Sequence, residues 1–350
     1  MITNLHLQNF RSYEDRVFNF RSGVNIVAGP NASGKTNLLE AVLVIATGSS
    51  YRVKDADLIA RDQPWARLDS RDQKGLLRTV KIITEPAAKS YELAGKPTKR
   101  LLLKDTLPVV LFEPNHLQLL TGSPERRRNY LDELLAQIEP GYATTLRQYK
   151  RTLAQRNSLL KQLTSSSSDG QLFAWDIRLS ELGGKIARSR AQLVDTLNND
   201  VPQLYGELSH AKTAVLLRYE TALSMDSYET QMLKKLETSQ ALDQVRGFTG
   251  AGPHREDLAV LFDDQIASET ASRGETRTAV LTLKILELRL LQAVRDEAPL
   301  LLLDDVFSEL DSERRKALTS YLKDYQTFIT TTDADVAAQH FTASANIIKL

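Results

Sequence analysis

The stretch of sequence that decides the fold is Gly29-Pro30-Asn31-Ala32-Ser33-Gly34-Lys35-Thr36, which fits the pattern G-x-x-x-x-G-K-[ST] at every fixed position. Glycines let such a loop wrap a phosphate group with its amides pointing inwards, and the helix that follows adds its dipole. Lys35 is expected to reach the β- and γ-phosphates, and the Thr36 hydroxyl to bind magnesium. The whole stretch is therefore a predicted phosphate loop and a candidate ATP contact.

The sequence on either side of this loop has the periodicity that the motif requires. Val24–Ala28 is a compact apolar run typical of a buried strand, and apolar residues recur at helical spacing after Lys35. Further upstream, alternating residues predict a strand over Ile2–Phe10 and a hairpin partner near Val17–Phe20. This context favours a phosphate loop over the alternative of a glycine turn that merely caps a helix.

A second acidic motif follows an apolar run near the end of the sequence. Leu300–Leu303 predicts a buried strand that delivers Asp304 and Asp305 at its carboxyl end. Asp304 is the candidate magnesium ligand together with Thr36, and Asp305 can orient or deprotonate an attacking water. Lys35, Asp304 and Asp305 are thus the candidate catalytic residues.

A possible helix start lies between these two motifs, at Ser272-Arg273-Gly274-Glu275. Ser272 suits an N-cap, and Gly274 permits an anion to approach the first amides closely. Alone, this pattern is typical of an ordinary helix cap. The pattern precedes Asp304 and Ser308-Glu309-Leu310-Asp311, and this order of motifs resembles that in the head of an ABC-type ATPase. In such heads the signature serine and glycine contact the γ-phosphate held by another subunit. The resemblance implies Ser272 and Gly274 as ATP contacts and an ATP-dependent homodimer.

Composition sets wider limits. The 350 residues are 42% hydrophobic and 25% charged, which is typical of soluble globular protein, and this length favours two domains. With 45 basic and 44 acidic side chains, any DNA-binding surface must be a local patch. The absence of cysteine excludes disulfides, zinc ribbons and thiol nucleophiles. The apolar runs are too short to span a bilayer, so no membrane partner is expected. A chain without cysteine is expected in the cytoplasm, with secretion as the open alternative.

The middle of the chain has a different character. Apolar residues at three- and four-residue spacing over 146–163 and 175–193, with a serine-rich turn at 164–170, predict a helical hairpin in which Arg156 interrupts the first seam. Two interpretations remain open: a short antiparallel coiled-coil arm, or two amphipathic helices packed on a globular body.

These elements together predict the fold class. The chain is expected to be α/β with an inserted helical arm, and the resemblance to ABC-type heads implies a P-loop ATPase head with a mixed sheet. The head is assigned to residues 1–122 and 250–350, and the arm to residues 123–249.

Several further segments share one resemblance. They are Leu7–Tyr13, Leu119–Asp132, Gly252–Leu258 and the acidic block from Leu300 through Asp311 to Arg315. These segments resemble the RecF family of bacterial recombination-mediator ATPases, which is related to the SMC and Rad50 proteins. The arginine of the family's opening motif tends to sit near the nucleotide, which implies Arg11 as a further ATP contact.

The sequence departs from the family's pattern in a few places. Ala32 stands where glycine is common, Asn115 where the family usually has an acid, and Glu275 where the signature ends in glutamine. No histidine follows the last predicted strand, so Thr332 or Asp333 is expected at the γ-phosphate switch.

The resemblance implies an ATP-dependent DNA-binding protein of recombinational repair, acting at gaps and stalled replication forks in the DNA-damage (SOS) response. ATP-driven dimerisation would clamp DNA, and a weak, DNA-stimulated ATPase would release it. DNA with a gap or a duplex/single-strand junction, RecR and RecO are the implied partners in loading the recombinase. The alternatives are an SMC- or Rad50-like DNA tether, for which the helical region is short, and a transport ATPase subunit, whose motifs normally lie closer together.

Basic clusters are the candidate DNA contacts, although a charge run is also typical of a solvated face. They are Arg126–Arg128; Lys96, Lys99, Arg100 and Lys104; and Arg147, Lys150, Arg151 and Arg156. His254 is expected to be a turn histidine and not a catalytic one.

Overall fold

The computed structural model describes residues 1–162, 169–322, 324–332 and 345–350, apart from the side chains of residues 169–171 and 308. The chain divides into two compact units, the first Met1–Leu117 with Leu283–Leu350 and the second Gln118–Thr282. The sequence instead placed the boundaries at 122 and 249. The second unit extends further because the strand Asp257–Phe262 pairs with Val215–Glu220 inside it.

The first unit contains an antiparallel and a parallel sheet. The antiparallel sheet has the spatial order β2 (Tyr13–Asn19), β1 (Ile2–Phe10), β4 (Trp65–Asp72), β5 (Leu77–Ile83), β6 (Ala88–Leu93) and β7 (Lys96–Thr98). The parallel sheet has the order β14 (Asn346–Lys349), β3 (Val24–Ala28), β13 (Thr327–Thr331), β12 (Leu300–Asp304) and β8 (Val109–Phe112). The predicted strands at 2–10, 24–28 and 300–303 are confirmed.

Helix α1 (Lys35–Thr47) follows the phosphate loop and contacts strands of both sheets. Its apolar residues are buried on every side, as expected for a helix in the core; they include Leu38, Leu39, Val42, Val44 and Ile45. The carboxylate of Glu40, also fully buried, accepts hydrogen bonds from Arg11 Nε at 2.8 Å and Ser50 Oγ at 2.6 Å. The helix that carries Lys35 and Thr36 is thus fixed in the core.

The register of the parallel sheet brings the ends of its strands to one edge. Thr330 of β13 pairs with Asp304, Thr331 pairs with Ala28, and Phe112 of β8 pairs with Leu303. Because the carboxyl ends of parallel strands lie at the same edge, the residues that follow them are neighbours. The phosphate loop and the acidic motif therefore meet there.

The second unit is built mainly from helices around a small antiparallel sheet. Its helices are α2 (Pro124–Ile138), α3 (Tyr142–Gln162), α4 (Asp169–Asn198), α5 (Val201–Ser209), α6 (Tyr228–Thr238), α7 (Gln240–Arg246) and α8 (Ala267–Thr270). The sheet has the order β11 (Gln265–Ile266), β10 (Asp257–Phe262) and β9 (Val215–Glu220). Two more helices lie among the described residues, α9 (Arg273–Arg295), which begins in this unit, and α10 (Ser312–Leu322) in the first unit. None of the described helices is long and apolar enough to cross a membrane.

Helices α3 and α4 pack against each other, but α4 also contacts α6 and β9. They are therefore two amphipathic helices of a globular body, the second of the two interpretations. Trp175 was wrongly assigned to the seam, since it is 36% exposed. Residues 164–168 of the predicted serine-rich turn lie outside the described residues, whereas Asp169 and Gly170 already belong to α4.

Arg156 is fully buried at the centre of this unit. Its Nε donates to Asp176 Oδ1 at 2.5 Å, and its Nη1 donates to Asp243 Oδ2 at 2.8 Å and Thr249 Oγ1 at 2.9 Å. The guanidinium thus joins α3, α4, α7 and the loop after α7. Its interpretation as a DNA contact is wrong, because its charge is used inside the protein.

We expect Arg156→Met to lower the free energy of unfolding by about 3–5 kcal/mol, because it leaves two buried carboxylates without their cation. Urea denaturation followed by far-UV circular dichroism measures this change. Arg151→Met, at an exposed position of the same helix, is the matched control and should change stability by less than about 0.5 kcal/mol. Equal stability of the two variants would contradict the role given to the buried cluster.

Candidate nucleotide-binding site

Hydrogen bonds join the first residue of the phosphate loop to the parallel sheet and its lysine to two of the loop's carbonyl groups. The Gly29 amide donates to the carbonyl oxygen of Thr331 at 3.3 Å. Lys35 Nζ donates to the carbonyl oxygens of Gly29 and Pro30, each at 2.8 Å. The ammonium group thus lies over the loop, where a bound phosphate would meet it.

Two residues of the loop have left-handed backbone conformations. Gly34, with φ +98°, precedes α1, and a Cβ there would lie 2.9 Å from both Ser12 Oγ and Tyr13 Oη. Only glycine fits this position. Ala32 has φ +66°, a conformation that costs a non-glycine residue about 1–2 kcal/mol. This explains why glycine suits the position at which the chain has alanine.

One carboxylate oxygen of Asp304 accepts hydrogen bonds from two hydroxyl groups. Its Oδ1 accepts from Thr36 Oγ1 at 3.0 Å and from Thr330 Oγ1 at 2.8 Å. The Thr330 oxygen in turn accepts from the Asp305 amide at 2.8 Å. Thr36 and Asp304 are 268 residues apart in the sequence, and the fold brings them into direct contact. Sequence reasoning gave Thr330 no role of its own, since a threonine within a strand carries no motif.

The residues of this site fit ATP and magnesium. Because the Thr36 hydroxyl hydrogen points to Asp304, the lone pairs of its oxygen can face a cation. Ser33 Oγ is buried with no hydrogen-bond partner among the described residues, and a phosphate oxygen would give it one. No group of three or more histidine or acidic side chains suited to a metal exists in the described part of the chain. Thr36, Asp304, phosphate oxygens and water are a suitable set for magnesium.

Glu113 is an additional acidic residue at this edge of the sheet. It directly follows β8, and its amide donates to His116 Nδ1 at 3.1 Å. Burial raises the pKa of Glu113 above its usual range, and the charge of Asp304 adds to this effect. Burial also raises the pKa of Tyr51, with Asp304 and Glu113 contributing. An acid placed directly after the apolar run 109–112 was the sequence signal for Glu113.

Arg11 has described contacts with Glu40 and Asp57. Its Nε and Nη2 bind the Glu40 carboxylate at 2.8 and 3.2 Å, and its Nη1 donates to the Asp57 carbonyl at 3.0 Å. Arg11 therefore anchors α1 in this structure, and its contact with a nucleotide stays a prediction.

Ser272 and Gly274 lie at the start of α9, in the second unit. The Ser272 amide donates to Glu275 Oε2 at 2.8 Å, and the Glu275 amide donates to Ser272 Oγ at 3.2 Å. This reciprocal pair is a capping box, so the predicted N-cap is confirmed. Ser272 is exposed, and its contact with ATP stays a prediction.

Comparisons with known proteins agree with this geometry. The family model of the RecF/RecN/SMC N-terminal domain matches residues 1–348. The DNA replication and repair protein RecF of Microcystis aeruginosa is 36% identical over 95% of this chain and 93% of its own length. The protein of the same name from Halothermothrix orenii is also 36% identical, over 95% of this chain and 92% of its own. The chain belongs to the RecF family.

Solved structures show the same fold. The recombination mediator protein RecF–ATPrS in the RecFOR pathway has a TM-score of 0.89 at 29% identity, covering 100% of this chain and 96% of that one. An Smc head bound to the C-winged helix domain of ScpA has a TM-score of 0.54 at 16% identity, covering 96% of this chain and 91% of that one. The ABC-type ATPase head predicted from the order of the motifs is confirmed.

The two expected switch residues follow β13. Thr332 is exposed directly after the strand, next to Thr331, whose carbonyl holds Gly29. Asp333 lies outside the described residues. The γ-phosphate switch of this RecF-family chain stays a prediction for both.

The basic clusters have different surroundings. Arg127 forms a two-bond ion pair with Asp257, and Arg128 donates to the Glu256 carbonyl at 2.8 Å, so both are held within the second unit. The cations that remain exposed are Arg126, Lys96, Lys99, Arg100, Lys104, Arg147, Lys150 and Arg151. These exposed side chains are the better candidates for DNA contacts.

His254 is a structural residue, as expected from the sequence. Its Nδ1 accepts from Tyr149 Oη at 2.6 Å, and its Nε2 donates to the Thr249 carbonyl at 3.1 Å. Burial lowers the pKa of His254 to about 4, so the ring is neutral at pH 7. A neutral ring matches this pattern of one accepted and one donated bond.

We expect Lys35→Ala to weaken ATP binding about tenfold or more, because the ammonium makes charge-assisted hydrogen bonds to phosphate oxygens. Titration calorimetry with ATP measures the change. Lys74→Ala, at an exposed turn between β4 and β5, removes the same charge away from the loop and should leave affinity unchanged. Equal affinity of wild type and Lys35→Ala would remove the site assignment.

Proposed function

We propose that the chain is an ATP-dependent DNA-binding ATPase of recombinational and replication-gap repair. The contact between Thr36 and Asp304 carries this proposal, since it unites the phosphate loop and the acidic strand into one site. The relatives that match nearly the whole chain are named for DNA replication and repair, which supports the choice of DNA as partner. A cytoplasmic location follows from that partner.

Four side chains would take part in ATP hydrolysis at this site. Lys35 binds the β- and γ-phosphates, while Thr36 and Asp304 hold magnesium, which when bound neutralises phosphate charge. Asp305 accepts a proton from the attacking water. The water oxygen bonds to the γ-phosphorus as the bond to the bridging oxygen breaks, giving ADP and phosphate.

The same proposal assigns dimerisation to the start of α9. Ser272 is exposed and Gly274 leaves room beside the first amides of the helix, so a γ-phosphate of a second copy can approach there. ATP would then join two copies, DNA would be held while ATP persists, and slow hydrolysis would release it. Stimulation of hydrolysis by DNA, preference for gapped DNA or a duplex/single-strand junction, and work with RecO and RecR to load the recombinase belong to this proposal.

DNA binding is tested by fluorescence anisotropy on gapped, blunt duplex and single-stranded DNA, each with and without ATP and Mg²⁺. We expect binding only with ATP and Mg²⁺, strongest on gapped DNA.

Asp305→Asn should bind ATP but hydrolyse it slowly, because the proton acceptor is lost. Its DNA complex should therefore outlast that of the wild type.

Lys35→Ala is the control for this experiment, since it should bind no DNA in an ATP-dependent way. Equal DNA binding with and without ATP would contradict the clamp. Absence of binding to all three DNAs would remove the repair function and leave the ATPase proposal standing.

Dimerisation is tested with two variants of Ser272. Ser272→Arg adds bulk, and Ser272→Asp keeps an N-cap but places a carboxylate against the phosphate. We expect both to bind ATP as monomers and to lose the ATP-dependent dimer in multi-angle light scattering. Ser268→Arg, at an exposed position of α8, is the matched control and should dimerise. ATP-dependent dimers of both Ser272 variants would rule out the signature role.

A further inference from the structure

Thr330 connects the two acidic residues of the site from a neighbouring strand. It lies in β13, is 1% exposed, and pairs with Asp304 in the parallel ladder. Its hydroxyl is within hydrogen-bond distance of the Asp304 carboxylate at 2.8 Å and of the Asp305 amide at 2.8 Å. A single buried hydroxyl thus contacts the side chain of one acid and the backbone of the next.

The direction of these hydrogen bonds follows from the groups involved. The Asp305 amide can only donate, so the Thr330 oxygen accepts from it. The single hydroxyl hydrogen then goes to Asp304 Oδ1 at 2.8 Å and not to the Leu303 carbonyl, which is 3.5 Å away. Thr36 donates to the same oxygen, so Asp304 Oδ1 accepts hydrogen bonds from both hydroxyls. The other carboxylate oxygen of Asp304, Oδ2, can then bind a cation.

Asp305 has an unusual backbone conformation. Its φ is +54°, in the left-handed region that residues other than glycine adopt rarely and aspartate more readily than most. The hydrogen bond from its amide to Thr330 holds this conformation and thereby the direction in which the Asp305 side chain leaves the strand. The next residue of β13, Thr331, accepts the Gly29 amide, so adjacent residues of one strand hold both halves of the site.

We infer that Thr330 is a positioning residue for magnesium-dependent ATP hydrolysis, orienting Asp304 through its side chain and Asp305 through its amide. This inference rests on the proposed ATPase function. Thr330 does not touch the nucleotide in this role. Its effect is to keep the metal-binding oxygen and the proton acceptor in a fixed relation.

The test compares Thr330→Val, which keeps the shape and loses the hydroxyl, with Thr330→Ser, which keeps the hydroxyl. Thr327→Val is the matched control, because Thr327 is also buried in β13 but its hydroxyl donates to the Tyr325 carbonyl. ATP affinity is measured by calorimetry without metal and across a Mg²⁺ titration, and hydrolysis in single turnovers across the same titration.

We expect Thr330→Val to bind metal-free ATP as the wild type does, to need about tenfold more Mg²⁺ for half-maximal effect, and to hydrolyse ATP about tenfold more slowly at saturating Mg²⁺. Thr330→Ser should restore both values, and Thr327→Val should change neither. The inference is overturned if Thr330→Val has the wild-type Mg²⁺ midpoint, or if Thr327→Val shifts it equally.

A wild-type protein that binds ATP without hydrolysing it would refute the ATPase proposal and the hydrolytic role of Thr330, but not its role in orienting Asp304 towards magnesium. The Mg²⁺ midpoint for ATP binding needs no turnover, so it still decides whether Thr330 positions Asp304. An unchanged midpoint in Thr330→Val would then overturn the inference on its own.

Discussion

The parallel pairing of β3, β13 and β12 is the constraint on which the rest of the first unit depends. It aligns three strand ends that lie far apart in the sequence, so that Gly29, Asp304 and Thr331 become neighbours. Helix α1 then leaves the phosphate loop at that edge and fills the core. Without this register the phosphate loop would have no acid opposite it, because Asp304 comes from a segment 268 residues away from Thr36.

Much of the first unit was predictable because its signals are local. The phosphate loop needs glycine and lysine at fixed spacing, and an apolar run before two acids predicts a buried strand. The contact of Asp304 with Thr36 followed from joining two such motifs. Thr330 could not be found this way, since its role depends on the register between β12 and β13, which no single stretch of sequence encodes.

The second unit was harder to predict, because some of its basic side chains form contacts inside the protein and others are exposed. Arg127, Arg128 and Arg156 belong to basic clusters that suggested a DNA-binding surface. Two of them bind Asp257 and the Glu256 carbonyl, and the third is fully buried. Sequence shows that a charge is present but not whether a carboxylate from a distant helix neutralises it. The boundary near 249 differs from the compact unit for a similar reason, since β9 and β10 pair across it.

The buried contacts of Arg156 also limit how this family member can change over evolutionary time. Replacing Arg156 alone leaves two buried carboxylates without a cation, and replacing Asp176 or Asp243 alone leaves a buried guanidinium N–H without its acceptor, whereas an apolar set of similar volume can be accommodated. The route from one set to the other passes through poorly folding intermediates. These three positions, spread over helices α3, α4 and α7, should therefore be retained or lost as a group among related sequences.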